Sequence, residues 1–268
     1  MTDSRKPGNQ ETTPKRSMAA QAPQFKISVV IPCHNQGRFL GDALSSLRRQ
    51  TLLPDEILIC DDGSTDGSWS QIVDSDLDWC RHGFVRHTVR QGVVRTVSEL
   101  ISLATGNLIV RLDADDMLSH RYLERMEWAI SKNDWDFAYS DYVRFGAESG
   151  KTQVPELDTS LLAIENFITA SAAFRSELYE QIGGYRQIFE RLGWEDYDFW
   201  MRAVERGARG GRVTGCHLEW RRHEYGSRNT MTRPRRLLAR IVLMALHPRT
   251  YARPSVLAGL FQSRILSR

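Results

Sequence analysis

Three carboxylates in four positions, Asp113, Asp115 and Asp116, follow directly on the apolar run Leu108-Ile109-Val110-Arg111-Leu112. Like charges this crowded repel one another unless a cation or bound water relieves them. Oxygen donors of this kind suit a hard divalent ion, Mg2+ or Mn2+. A second acidic cluster, Asp61-Asp62-Gly63-Ser64-Thr65-Asp66-Gly67, follows Glu56-Ile57-Leu58-Ile59-Cys60. Taken alone it is good turn chemistry, since Asp and Ser cap backbone amides and Gly accepts left-handed backbone. A third acidic group, the pair Glu195-Asp196, opens a helical segment. There a carboxylate either complements the helix dipole or serves as a base. His223, in Trp220-Arg221-Arg222-His223, is a candidate metal ligand or a packed surface histidine.

The elements that must position these groups follow from hydrophobic periodicity. Lys26 to Pro32 reads as a strand stopped by its proline, and Phe39, Leu40, Ala43, Leu44 and Leu47 then repeat at helical spacing. Glu56–Cys60 and Phe84–Thr88 read as strands, and Val93–Ala104 as a helix leading into the central strand. Ser119 is the expected N-cap of a helix burying Tyr122, Leu123, Met126, Ala129 and Ile130. Strands alternating with helices predict an α/β fold with a mostly parallel central sheet flanked by helices. Such open sheets bind ligands beyond the carboxyl ends of their strands, which is where the acidic clusters fall. The second half is less regular. Phe137–Phe145 reads as a strand, 146–158 as a loop or hairpin and Ser171–Arg175 as a short strand. Beyond Gly183-Gly184, Tyr197, Trp200, Met201 and Val204 lie on one helical face. This irregular half is where an acceptor-side surface would be built.

A chain of 268 residues, 41% hydrophobic and 26% charged, is long enough for one large domain with appendages. We assign residues 1–24 to a disordered polar leader, 25–225 to the domain and 226–268 to a basic amphipathic tail. Nine arginines follow Glu224 with no Asp or Glu among them, against a net charge of +3 for the whole chain. The remainder is therefore net acidic, so the basic balance belongs to the tail and no nucleic-acid surface is expected on the body. Cys33, Cys60, Cys80 and Cys216 lie far apart with no C-x-x-C, which fits a reduced, cytoplasmic compartment. The N-terminus has no apolar signal core, and no run approaches the ~18 apolar residues of a span. A soluble or peripheral protein is expected. The tail would pack on the body or a second subunit, or would attach to anionic lipid at the inner face of the membrane.

Taken together, four motifs in order resemble the family 2 glycosyltransferases of the GT-A fold, over roughly residues 25–225. They are Val29-Val30-Ile31-Pro32-Cys33-His34-Asn35, Cys60-Asp61-Asp62-Gly63-Ser64-Thr65-Asp66-Gly67, the D-x-D stretch Leu112-Asp113-Ala114-Asp115-Asp116, and Trp194-Glu195-Asp196-Tyr197-Asp198. The resemblance implies a metal-dependent, inverting transfer of a sugar from a nucleotide-diphosphate donor to an acceptor hydroxyl, in cell-surface polysaccharide or glycolipid synthesis. The expected donor is a UDP-sugar and the expected acceptor a saccharide or a lipid-linked one. The family match implies that Asp62 accepts a hydrogen bond from the base, with Pro32 and Asn35 lining the same pocket. Asp115 would hold the metal against the diphosphate, Asp113 would face the ribose or the metal shell, and His223 would be a further ligand. Asp196 would be the general base, with Glu195 supporting its helix start, and Arg221 or Arg222 could reach the diphosphate. His34 departs from the usual Tyr and Val97-Ser98 from a frequent Arg-Asn pair. Arg95 is near enough on the same helix to offer the missing charge to the donor.

Two readings from other classes compete. A magnesium phosphohydrolase of the haloacid dehalogenase type also places Asp-x-Asp at a strand end, but usually on its first strand and followed by Thr or Val where Met117 stands. A non-catalytic nucleotide-sugar-binding module would keep Asp62 and Asp115 and have no need of Asp196.

Overall fold

The computed structural model describes residues 25–224 and 231–262, so the leader assigned to residues 1–24 lies outside the described residues. Near-continuous Val, Ile and Leu make the first strands buried on both faces: β1 (Ile27–Cys33), β2 (Glu56–Asp62) and β4 (Leu108–Arg111). With the more exposed β3 (Arg81–His87) they form a parallel block in the order β3-β2-β1-β4. The helices between them are α1 (Gly37–Arg48), α2 (Ser68–Val73) and α3 (Val93–Leu103). Alternation along β1 sends Val29 and Ile31 to one face, against α1 and α4 (Tyr122–Asn133), and Val30 to the other, against α3. The five apolar residues expected to face inward on α4 are its buried ones. Ser119 is not its cap. Arg121 holds that position, while the Ser119 carbonyl accepts from Tyr122 N at 2.9 Å and its hydroxyl accepts from His217 N at 2.9 Å.

Strand order reverses between β1, which leads outward to β2, and β4, which leads to the other half. The sheet continues through β8 (Ala173–Arg175), β6 (Phe137–Gly146), β9 (Gly210–Arg222) and β5 (Met117–Leu118), with β7 (Gly150–Thr152) forming a hairpin on β6. Pairing here is antiparallel except between β6 and β9. The strand β9 was not read from the sequence. Three glycines interrupt it and its register jumps from Ser140↔Val213 to Asp141↔His217, a bulge around Gly215 at φ +80°. Gly210 and Gly211 are required there because a Cβ would come within 2.5 Å of the Phe137 ring and 2.4 Å of the Trp135 ring.

The remaining helices are α5 (Thr159–Ile164), α6 (Ser176–Ile182), α7 (Phe189–Leu192), α8 (Glu195–Glu205), α9 (Arg233–Leu246), α10 (Pro248–Tyr251) and α11 (Pro254–Gln262). Helix α8 buries more than the single face its periodicity suggests, because Asp198, Phe199, Arg202 and Ala203 are covered as well as Tyr197, Trp200 and Met201. The cover includes the C-terminal helices, whose Ala239, Leu243, Tyr251 and Val256 join the same core. No helix among the described residues is long and apolar enough to cross a membrane.

His247 pins this C-terminal layer. Its buried ring lies 2.8 Å from Glu205 Oε2 through Nδ1 and 3.1 Å from Asp198 Oδ1 through Nε2. Burial alone would push the imidazole pKa down, but hydrogen bonds to the two carboxylates outweigh it and hold the pKa above its usual value. The proton is thus bound more tightly in the folded than in the unfolded chain. Its stabilisation is complete below about pH 6.5 and is lost as pH rises through the folded pKa. His247→Gln is expected to lower the melting temperature at pH 6 and to narrow the gap from wild type as pH rises. Paired thermal melts between pH 6 and 9 check this, and a gap independent of pH would show that the charge is immaterial.

Candidate active site

The ends of β1, β2 and β4 meet at the point where the strand order reverses, because Cys33 pairs with Asp61 and Val30 with Arg111. An open sheet parts its connections on either side of such a point and leaves a crevice. Asp61 and Asp62 are the last two residues of β2, and Asp113 lies two residues beyond β4.

Asp62 is buried, and its oxygens accept from His87 Nδ1 at 2.8 Å, Gln91 N at 2.6 Å and Gly92 N at 2.9 Å. Burial would raise its pKa, but these hydrogen bonds outweigh that and hold the carboxyl below its usual range. Asp62 therefore fastens the loop before α3 to β2. Across from it, Asn35 sits in left-handed backbone at φ 55°. Its amide donates to Ser64 Oγ at 2.9 Å, and its side-chain oxygen accepts from Thr65 N at 2.8 Å. His34 Nδ1 contacts the Asp62 carbonyl at 2.7 Å. Pro32 is partly exposed at the end of β1, in register with Cys60. Arg95 is exposed on the first turn of α3. The helix start itself is taken by Glu190 of α7, whose carboxylate accepts from Val93 N at 3.0 Å and Val94 N at 2.7 Å.

At the acidic loop, Asp115 Oδ2 lies 2.7 Å from His223 Nε2, bringing together two residues 108 positions apart. Burial and the neighbouring Asp113 raise the Asp115 pKa, against the pull of His223. Asp116, more deeply buried and flanked by both carboxylates, is raised further. Arg221 is committed to holding this loop. Its amide donates to Asp116 Oδ1 at 2.9 Å, and its guanidinium donates to the Asp115 carbonyl at 2.8 Å and to Asp42 Oδ2 at 2.7 Å. Arg222 lies 3.4 Å from Glu148 and over the Trp220 ring. No group of three His, Cys, Asp or Glu side chains converges as a metal cage among the described residues. The donor set still fits Mg2+ or Mn2+, with one crowded carboxylate, one imidazole and the rest of the shell left to substrate and water oxygens.

The Glu195-Asp196 pair begins α8 after Trp194, whose left-handed backbone at φ 70° is a strained conformation for a tryptophan. Trp194 packs against Tyr197 and beneath Arg240. Asp196 accepts from Tyr197 N at 2.7 Å and from Asn166 Nδ2 at 3.3 Å. Burial, then the charge of Glu195, raises its pKa to about 7, against Arg111 and these two donors. A carboxylate with that value can take a proton near neutral pH.

Arg111 joins the two acidic edges. The buried guanidinium donates from Nε to Asp113 Oδ1 at 2.8 Å and from Nη1 to Glu195 Oε1 at 3.0 Å. Sequence reasoning assigned no role to it, nor to Asn166, Glu190 or His87. One signal was available for Arg111: a charge inside an otherwise apolar strand is buried only with a partner.

The family model described as glycosyl transferase family 2 matches residues 28–193. The putative glycosyltransferase EpsE of Bacillus subtilis is 25% identical over 191 residues, 69% of each chain. The UDP-Gal:alpha-D-GlcNAc-diphosphoundecaprenol beta-1,3-galactosyltransferase of Escherichia coli is 24% identical over 215 residues, 76% of each. Among solved structures, S. aureus TarS 1-349 in complex with UDP-GlcNAc superposes with a TM-score of 0.70 at 20% identity, over 83% of this chain and 66% of that one. The chain spans just under two thirds of that TarS chain, and the likeness is one of fold.

Proposed function

From the premise that this chain belongs to glycosyl transferase family 2 and is a glycosyltransferase of GT-A type, we propose that it moves a sugar from a nucleotide diphosphate to the hydroxyl of a lipid-linked saccharide. The observation that carries the proposal is the coupling of two unlike acidic edges through Arg111, one crowded beside His223, the other holding an aspartate with a pKa of about 7. A UDP-sugar is the donor we favour, since a protein of the same fold is known with UDP-GlcNAc. The lipid-linked acceptor is supported by the diphosphoundecaprenol substrate in the name of the Escherichia coli relative. The reaction would then take place on the cytoplasmic side of a membrane. The phosphohydrolase alternative is set aside by the family, and its motif would stand on the fourth strand of the chain instead of the first.

In this reading Asp196 removes the acceptor proton as the oxygen attacks the anomeric carbon, a single displacement with inversion. Asn166 and the Tyr197 amide hold the carboxylate in place. Asp115 and His223 would hold Mn2+ or Mg2+, with Asp113 turned to the ribose or the metal shell, and the bound ion would neutralise charge on the departing diphosphate. Pro32, Asn35 and Asp62 shape the base pocket, Asp62 by fixing the loop that precedes α3. Arg95, exposed on that helix, is free to turn toward the phosphates.

A panel of nucleotide sugars, screened with Mn2+ or Mg2+ for slow donor hydrolysis, tests the proposal. Silence toward every donor together with turnover of a simple phosphomonoester would overturn it. Asp115→Asn is expected to lower kcat/KM by on the order of 10³-fold and to abolish the dependence of UDP binding on the metal. Calorimetric titration of UDP with and without Mn2+ checks this, and an undiminished metal effect removes Asp115 from the shell.

A further inference from the structure

Helix α9 is docked on the body by one face only. Ala239 and Leu243 are buried, Arg235 donates to the Leu192 carbonyl at 3.1 Å, and Arg240 donates to the Ala163 and Ile164 carbonyls at 3.2 and 3.0 Å. The opposite face is apolar and open to solvent. Leu237, Leu238 and Ile241 are 57%, 50% and 54% exposed, and their spacing of three and four residues makes them one contiguous ridge. Arg233 and Arg236 stand exposed on the same helix, and Arg249 and Arg253 are exposed on the segment that follows. No acidic residue occurs in the chain after Glu224.

Aliphatic side chains in a row are costly to leave in water, and here they come with cations of a single sign. A twofold contact with a second copy would set these arginines against their own counterparts with no carboxylate in the tail to receive them. An anionic bilayer satisfies both features, since the ridge enters the acyl boundary while the guanidinium groups meet lipid phosphate. We infer that the outer face of α9 is a membrane-docking surface for anionic lipid. The helix that carries this surface packs beside the candidate site. Arg240 of α9 stacks over Trp194, and Arg235 reaches the Leu192 carbonyl, both a few residues before Asp196. Docking through α9 would hold the candidate site close to the bilayer surface, where a lipid-linked acceptor would be held. The docking itself does not depend on the identity of the acceptor.

The test is flotation of the full chain with phosphatidylcholine vesicles, with and without about a third phosphatidylglycerol. Wild type is expected to float with the anionic vesicles, less so at high salt, and to remain behind with the neutral ones. Leu237→Gln with Ile241→Gln is expected to weaken binding about tenfold or more, and Arg233→Gln with Arg236→Gln by a similar factor. All four substituted residues are exposed, so donor hydrolysis in solution should be unchanged in both variants. Equal flotation of wild type and the Leu237/Ile241 variant would overturn the inference, as would wild type failing to float at all. A concentration-dependent dimer that this variant loses would assign the face to a second copy instead. Donor turnover is read separately, so loss of flotation with transfer intact, or the converse, distinguishes failure of this inference from failure of the proposed reaction.

Discussion

Asp196→Asn is expected to lower kcat for sugar transfer by about 10³-fold while leaving donor binding within about twofold, because it removes a proton acceptor and keeps the shape. The pH dependence makes the prediction specific. Burial and Glu195 raise the Asp196 pKa to about 7, so the ionised, proton-accepting form gains population as pH rises through that value. In wild type kcat/KM should climb about tenfold per unit below pH 7 and level off above it, and the residual activity of the Asn variant should lack that limb. Stability should move the other way. The folded carboxyl holds its proton more tightly than the unfolded one, whose pKa is ~3.9, so ionisation at high pH destabilises the fold. The Asn variant should therefore melt higher than wild type at pH 8 and match it more closely near pH 4. Transfer at the wild-type rate, or a pH limb that survives the substitution, would remove Asp196 as the base. A binding module without catalysis would show neither the limb nor its loss.

What could be read from the sequence divides along the sheet. The parallel half was legible because its strands carry continuous apolar runs and its helices clear 3.6-residue periodicity, as the buried set on α4 shows. Strand β9 was hidden because the features that make it fit, Gly210 and Gly211 under aromatic rings and a bulge at Gly215, are those that look like a loop in one dimension. The tail helix was legible, but its two faces were not, since packing on the body and an open apolar ridge turned out to be properties of one helix. At the site, carboxylates at strand ends announce themselves. Their partners do not: the amides that hold Asp62 follow 29 and 30 positions later, and Glu190 caps α3 from 97 positions away. Asp62 shows the limit most clearly, because the family resemblance implies a contact with the base while its immediate partners are His87, Gln91 and Gly92 of its own chain.

Arg111→Met is expected to be the most informative change outside the acidic residues. The guanidinium is buried between Asp113 and Glu195, and removing it leaves two carboxylates without their shared cation. Breaking a buried ion pair from one side costs about 3–5 kcal/mol, which should appear as a large drop in melting temperature. A merely structural residue would do no more than that. Arg111 also lowers the pKa of Asp196, so its loss should move the acid limb of kcat/KM upward from about 7 and reduce activity at neutral pH by on the order of 10²-fold. Arg111→Lys restores the charge without the two-pronged fork, so the limb should return toward its wild-type position while kcat stays depressed. Combining Arg111→Met with Glu195→Gln removes the buried Arg111–Glu195 pair, leaves only the partly exposed Asp113, and should recover much of the stability, because neutralising a buried pair costs far less than halving it. The same double variant relieves Asp196 of the like charge beside it, so its pH limb should fall back below that of Arg111→Met alone. If the limb stays near 7 in every variant while stability alone changes, Arg111 positions the fold and not the base.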